Sequence, residues 1–109
     1  MVILFKDEKL ERLCREKRKM ERELGRPCSR KLRARLKDLS AAECMREIKV
    51  GRPHPLRGPL AGCLALDLAG GKRLVLEAAN DPVPCRDDES TEWSRVTVVR
   101  IVFIGDYLD

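Results

Sequence analysis

Residues 63–79 read CLALDLAGGKRLVLEAA, and their alternation decides the fold. Leu64, Leu66 and Leu68 fall on one face and Asp67 on the other, the period of a half-buried strand. Gly70-Gly71 is a tight-turn dipeptide, and RLVLEAA continues as the returning strand of a hairpin. Downstream, RVTVVRIVFI (95–104) is apolar on both faces apart from Arg95, Thr97 and Arg100, which predicts a central strand. Between the two lies NDPVPCRDDESTEW (80–93), a long acidic loop with two prolines.

Upstream of the hairpin the chain is broken. GRPHPLRGPLAG (51–62) holds three glycines, three prolines and two arginines around His54, the only histidine. Proline lacks the N–H and glycine weakens regular structure, so this stretch is neither helix nor central strand. Before it the period is helical. Asp7 can cap one helix carrying Leu10, Leu13, Met20 and Leu24, which Gly25-Arg26-Pro27 ends. A second helix follows with Cys28, Leu32, Leu36 and Leu39 stepping at four, four and three. Ser40-Ala41-Ala42-Glu43 has capping-box spacing and predicts a short third helical turn through Ile48. Val2-Ile3-Leu4-Phe5 reads as a short buried strand. The order predicts a single α+β domain over residues 1–109: a short N-terminal strand and a helical hairpin packed on an antiparallel-rich sheet.

The totals bound the function classes. A chain of 109 residues, 43% hydrophobic and 38% charged, can bury a modest core beneath a heavily charged surface. No apolar run approaches the roughly 20 residues that span a bilayer, and MVILFKDEK lacks the parts of a signal peptide, so a cytoplasmic location is expected. Five cysteines without a CxxC suggest neither a disulfide framework nor a zinc site. No GxSxG, P-loop or Cys–His pairing gives nucleophilic hydrolysis or nucleotide use a foothold. The net charge of +5 is unevenly spread: residues 6–50 carry 16 basic and 9 acidic side chains, residues 51–75 carry 4 and 1, and residues 76–109 carry 3 and 8. Such a front can face a polyanion, or it can be a solvated surface of ion pairs, since EKLERLCREKRKMERE mixes signs at helical spacing.

The order HPLRG, GG hairpin, KRLVLE and VVRIVFIGDY resembles the RelE/ParE toxin superfamily, and most closely its HigB-type killer proteins. The pieces here are KVGRPHPLRGPLAG, CLALDLAGGKRLVLEAANDPVP and EWSRVTVVRIVFIGDY, over nearly the whole chain. The resemblance implies a RelE-like fold and a bacterial type II toxin held inactive by a cognate helix-turn-helix antitoxin, with operator DNA met only through that complex. It implies a metal-independent, cofactor-free endoribonuclease that enters the 70S ribosome and cuts mRNA there, the ribose 2′-OH attacking the adjacent phosphate.

That chemistry needs a base for the hydroxyl proton, cations for the phosphate and help for the leaving 5′-oxygen. His54, in the family's H-x-L-K/R-G segment, is the candidate base, with Arg52 and Arg57 as RNA-binding cations beside it. Arg73 matches the family's strand arginine, able to grip a phosphate bidentately. Asp106 and Tyr107 match the first two residues of an Asp-Tyr-His run, with Leu108 in place of the histidine. Leu64 and Leu66 stand where RelE-like enzymes carry lysines. A ParE-type inhibitor of DNA gyrase and a catalytically decayed module that only pairs with its antitoxin are the competing readings.

Overall fold

The computed structural model describes residues 1–106 of the chain. It opens on strand β1 (Val2–Phe5), then helices α1 (Glu8–Arg15), α2 (Lys17–Leu24) and α3 (Arg26–Ala41). Strands β2 (His54–Pro55), β3 (Leu64–Asp67), β4 (Lys72–Ala78) and β5 (Val98–Asp106) follow, linked by short 3-10 turns. The five strands make one sheet in the order β1-β5-β4-β3-β2. Only β1 runs parallel to its neighbour; the other pairings are antiparallel.

Asp7 caps α1 as its residue type predicts, its carboxylate accepting the Leu10 N–H at 2.9 Å. The expected single first helix is two. At Glu16 the backbone turns extended (φ −106°, ψ 101°), ending α1 and starting α2, with no proline or glycine to announce it. Gly25, at φ +82°, links α2 to α3, and Pro27 sits in the first turn of α3, where its missing N–H costs nothing. Ser40 lies inside α3 instead of capping a new helix. The turn expected through Ile48 shrinks to one 3-10 turn, Met45–Glu47.

The helices cover one face of the sheet. Leu13, Met20, Leu32 and Leu39 meet Leu64, Leu66, Leu74, Leu76, Val99 and Ile101 in the main core. β5 is interior as expected, with Val99 and Ile101 fully buried. β3, by contrast, is buried on both faces and not on one. Ala65 joins Leu56, Cys63 and Val75 in a second small core on the far side, flanked by Leu60, Val102 and Phe103. A register shift puts Val75 opposite Phe103 and Leu76 opposite Ile101, leaving Val102 extra. The bulge turns Val102 and Phe103 toward the same side, where both join that second core.

The acidic segment after β4 is folded back on itself. Asn80 Oδ1 accepts the N–H groups of Thr97 and Val98, both at 3.1 Å, and closes the base of the loop. Nearer its tip, Cys85 and Thr91 form an isolated antiparallel bridge.

Candidate functional site

The sheet face away from the helices carries the cluster. Cross-strand partners share a face, and residues two apart on a strand share it too. His54 pairs with Ala65, Asp67 lies two residues beyond Ala65, and Asp67 pairs with Arg73. His54, Asp67 and Arg73 therefore project from one side of three adjacent strands.

The broken stretch supplies the fourth member through its backbone. Gly51 (φ +86°) and Arg52 (φ +49°) are both left-handed, a geometry that costs Arg52 about 1–2 kcal/mol. That turn swings the chain back over β3. The Asp67 N–H donates to Gly51 O at 2.6 Å. Arg52 Nε donates to Asp67 Oδ2 at 2.7 Å, and Arg52 Nη2 to Oδ1 at 3.4 Å. Arg73 Nε reaches Asp67 Oδ1 at 3.5 Å. One carboxylate thus holds two guanidiniums. Arg52 is well exposed, whereas the Arg73 side chain keeps only 16% of its surface open. Burial raises the pKa of Asp67, but the hydrogen bond and charge of Arg52, with the charges of His54 and Arg73, outweigh it and leave Asp67 below its ordinary value.

The same turn orients the imidazole. His54 Nδ1 lies 2.7 Å from Arg52 O. A carbonyl can only accept, so Nδ1 carries the hydrogen, and in the neutral ring Nε2 carries the lone pair. Nε2 is buried and has no hydrogen-bond partner among the described residues. With Nδ1 so engaged, Nε2 is the ring nitrogen left to exchange a proton with a group that enters beside it. Gly105, the cross-strand partner of Arg73, adds no side chain next to the guanidinium.

Of the sequence-predicted residues, the structure brings together Arg52, His54 and Arg73. Arg57 is exposed, one residue past the buried Leu56, at the start of the 3-10 turn Gly58–Leu60. Asp106 is not brought to the cluster. It pairs with Lys72, one residue out of phase with Arg73, and so lies on the opposite face. There its charge is felt by Cys28 at the start of α3. Burial raises the Cys28 thiol, Lys72 opposes the rise and Asp106 adds to it. Tyr107 and Leu108 fall outside the described residues. Asp67, the hub, was legible only as the polar residue of a leucine strand; its main partner is fifteen residues away, across the left-handed turn. Leu64 and Leu66 belong to the helix-side core, so their not being lysines removes nothing from this face.

Part of the charge on the front helices pairs with itself. Arg12, Arg15, Lys17 and Lys19 each meet a glutamate four residues away. Surface pairs of this kind contribute about 0.2–1 kcal/mol each. No helix among the described residues is long and apolar enough to cross a membrane.

No protein-family model and no curated protein matches the chain. Solved structures do. A YoeB/ParE toxin from Agrobacterium tumefaciens superposes with a TM-score of 0.60 at 10% identity, covering 99% of this chain and 100% of that one. A YoeB-YefM complex from Staphylococcus aureus gives 0.55 at 16% identity, covering 99% and 98%. The chain therefore has the α+β fold of the YoeB/ParE-type toxins, end to end.

Proposed function

We propose that this chain is the toxin of a type II toxin–antitoxin pair, of HigB type within the RelE/ParE superfamily, and cleaves mRNA on the ribosome. His54 Nε2 takes the proton of a ribose 2′-OH, and the oxygen attacks the adjacent phosphorus. Arg73, with Arg52, stabilises the charge that builds on the phosphate oxygens. The bond to the 5′-oxygen breaks, leaving a 2′,3′-cyclic phosphate and a 5′-oxygen that takes a proton from water, while His54 returns its own proton to solvent. Tyr107 is assigned to a phosphate oxygen on its match to the family motif alone, and Arg57 to the RNA backbone beside the cluster. Asp106, turned to the other face, is given no part in the step.

The observation that carries this reading is the fixed tautomer of His54, with its buried Nε2 unpartnered among the described residues next to two arginines. A loop histidine serving only structure would have both nitrogens engaged or one in water. Asp67 fits as a resident anion: it holds the guanidiniums in place until a phosphate shares them. The fold's likeness to toxins, one of them solved as the YoeB-YefM complex, supports an antitoxin partner for this chain and a place of action in the cytoplasm.

A second reading, an antitoxin-binding module that cuts nothing, is favoured by one feature: Asp67 already occupies Arg52 and Arg73. Primer extension on translated messenger after induction separates the two. Cleavage by the natural chain that is lost in His54→Ala supports the enzyme; uncut messenger together with normal growth supports the module.

A further inference from the structure

On the other side of the molecule, α2 and α3 enclose a depression of about 310 Å³ lined by Lys17, Glu21, Arg26, Ser29, Arg30 and Arg33. Four cations face one carboxylate there. Glu21 pairs with Lys17 and Arg26 only at 4.0 Å each, the loosest ion pairs among the described residues, and Arg30 and Arg33 have no ion-pair partner among them. Ser29 is the second, independent observation. It is 1% exposed, yet its Oγ has no hydrogen-bond partner. A helical serine ordinarily bonds the carbonyl four residues back or faces water. Ser29 does neither: Gly25 O takes the Ser29 N–H at 2.9 Å, and the residue lines the depression with its hydroxyl buried behind it and unpartnered. The site also sits at the first turn of α3, a sixteen-residue helix with no side-chain cap, so its positive end is unanswered.

We infer that the α2–α3 depression is a phosphate-binding site, taking phosphate groups of an RNA backbone. Guanidinium forks, an ammonium, a hydroxyl and the start of a helix form a donor set matched to an anion with several acceptor oxygens. Arg26, Arg30 and Arg33 step at four and three along α3, rising about 6 and 4.5 Å. That row continues past a single anion and suits successive charges on a strand. The site is separate from the His54 face and goes beyond the cleavage reading.

The test is an amide NMR titration of the full chain, without ribosomes, using inorganic phosphate in one arm and a short single-stranded RNA in the other. Both probes are expected to shift the amides of residues 26–30, and Arg30→Gln/Arg33→Gln is expected to abolish those shifts. RNA binding at least about tenfold tighter than phosphate, and weakening steeply with salt, assigns the strand as ligand. Ser29→Ala should weaken both about tenfold, the worth of one hydrogen bond to an anion, while leaving the melting temperature unchanged or higher. The inference falls if neither probe moves residues 26–30, if the double arginine variant binds as before, or if phosphate binds as tightly as RNA. Binding is read without cleavage, so the result stands apart from the fate of the enzyme reading.

Discussion

Leu56→Ala probes how His54 is held. The strand that carries His54 is two residues long, and it continues into one backbone bond, from Leu56 N–H to Cys63 O at 3.0 Å. Its side-chain anchor is Leu56, 4% exposed and packed with Cys63, Ala65 and Val75 in the small core beneath the site. Truncating a buried leucine to alanine costs about 2–5 kcal/mol where the cavity stays open. Upstream, Gly51 and Arg52 stay tied to Asp67, so the segment should loosen locally around His54 and not take the main core with it. The expected signature has two parts. Hydrogen exchange at the Leu56 amide accelerates, while the urea midpoint falls much less than in Leu66→Ala, whose side chain is fully enclosed in the helix-side core. Cleavage on programmed ribosomes should drop about 10²-fold although His54 is intact, because a displacement near 1 Å has that effect. Normal cleavage by a Leu56→Ala chain with an exposed Leu56 amide would refute the argument that this anchor places the base.

Gly51→Ala should lower stability by about 1–2 kcal/mol, roughly 5–10 °C in melting temperature. Its φ is +86°, and a Cβ there would stand 3.4 Å from Arg35 Cδ and 3.5 Å from Leu66 Cβ. Asp67, held below its ordinary 3.8, adds stability that is present above that pH and is lost as pH falls through the lower folded value. Asp67→Asn should therefore flatten the acid limb of a stability–pH curve, by under about 1 kcal/mol because Arg52 is exposed. Burial pushes the Cys14 thiol up to about 12 and raises Cys28 and Cys63 as well, whereas Cys85 is exposed. Ellman's reagent at pH 8 should thus modify Cys85 well before Cys14, Cys28 or Cys63, and those three only on unfolding.

Period-two leucines, the glycine pair and the apolar run from Val96 were enough to place β3, β4 and β5, because burial of whole faces writes itself into alternation. The break at Glu16 was not legible: Leu10, Leu13, Met20 and Leu24 keep one helical face across it, and no residue there disfavours a helix. The second core was missed for a related reason. Ala65 and Cys63 are small, and the cover for that face comes from Leu56, in a stretch whose glycines and prolines masked its edge strand. At the site, residue type pointed to His54 and Arg73, but the sheet register decided which neighbours joined them. A one-residue phase difference separates Arg73 from Lys72, and with it Asp106 from the cluster. Asp67 became the hub through a left-handed turn that no local pattern around position 67 announces.

Single-turnover cleavage of messenger on programmed 70S ribosomes tests the central claim most directly, with the natural chain, Arg73→Ala and His54→Ala compared at equal ribosome occupancy. The natural chain is predicted to cut within the A-site codon and leave a 2′,3′-cyclic phosphate. Arg73→Ala should lose about 10²–10³ in rate, the worth of one aimed cationic donor. His54→Ala should lose on the order of 10² or more, as for a general base. Uncut messenger with the natural chain bound, or cutting by His54→Ala at the natural rate, would contradict the account.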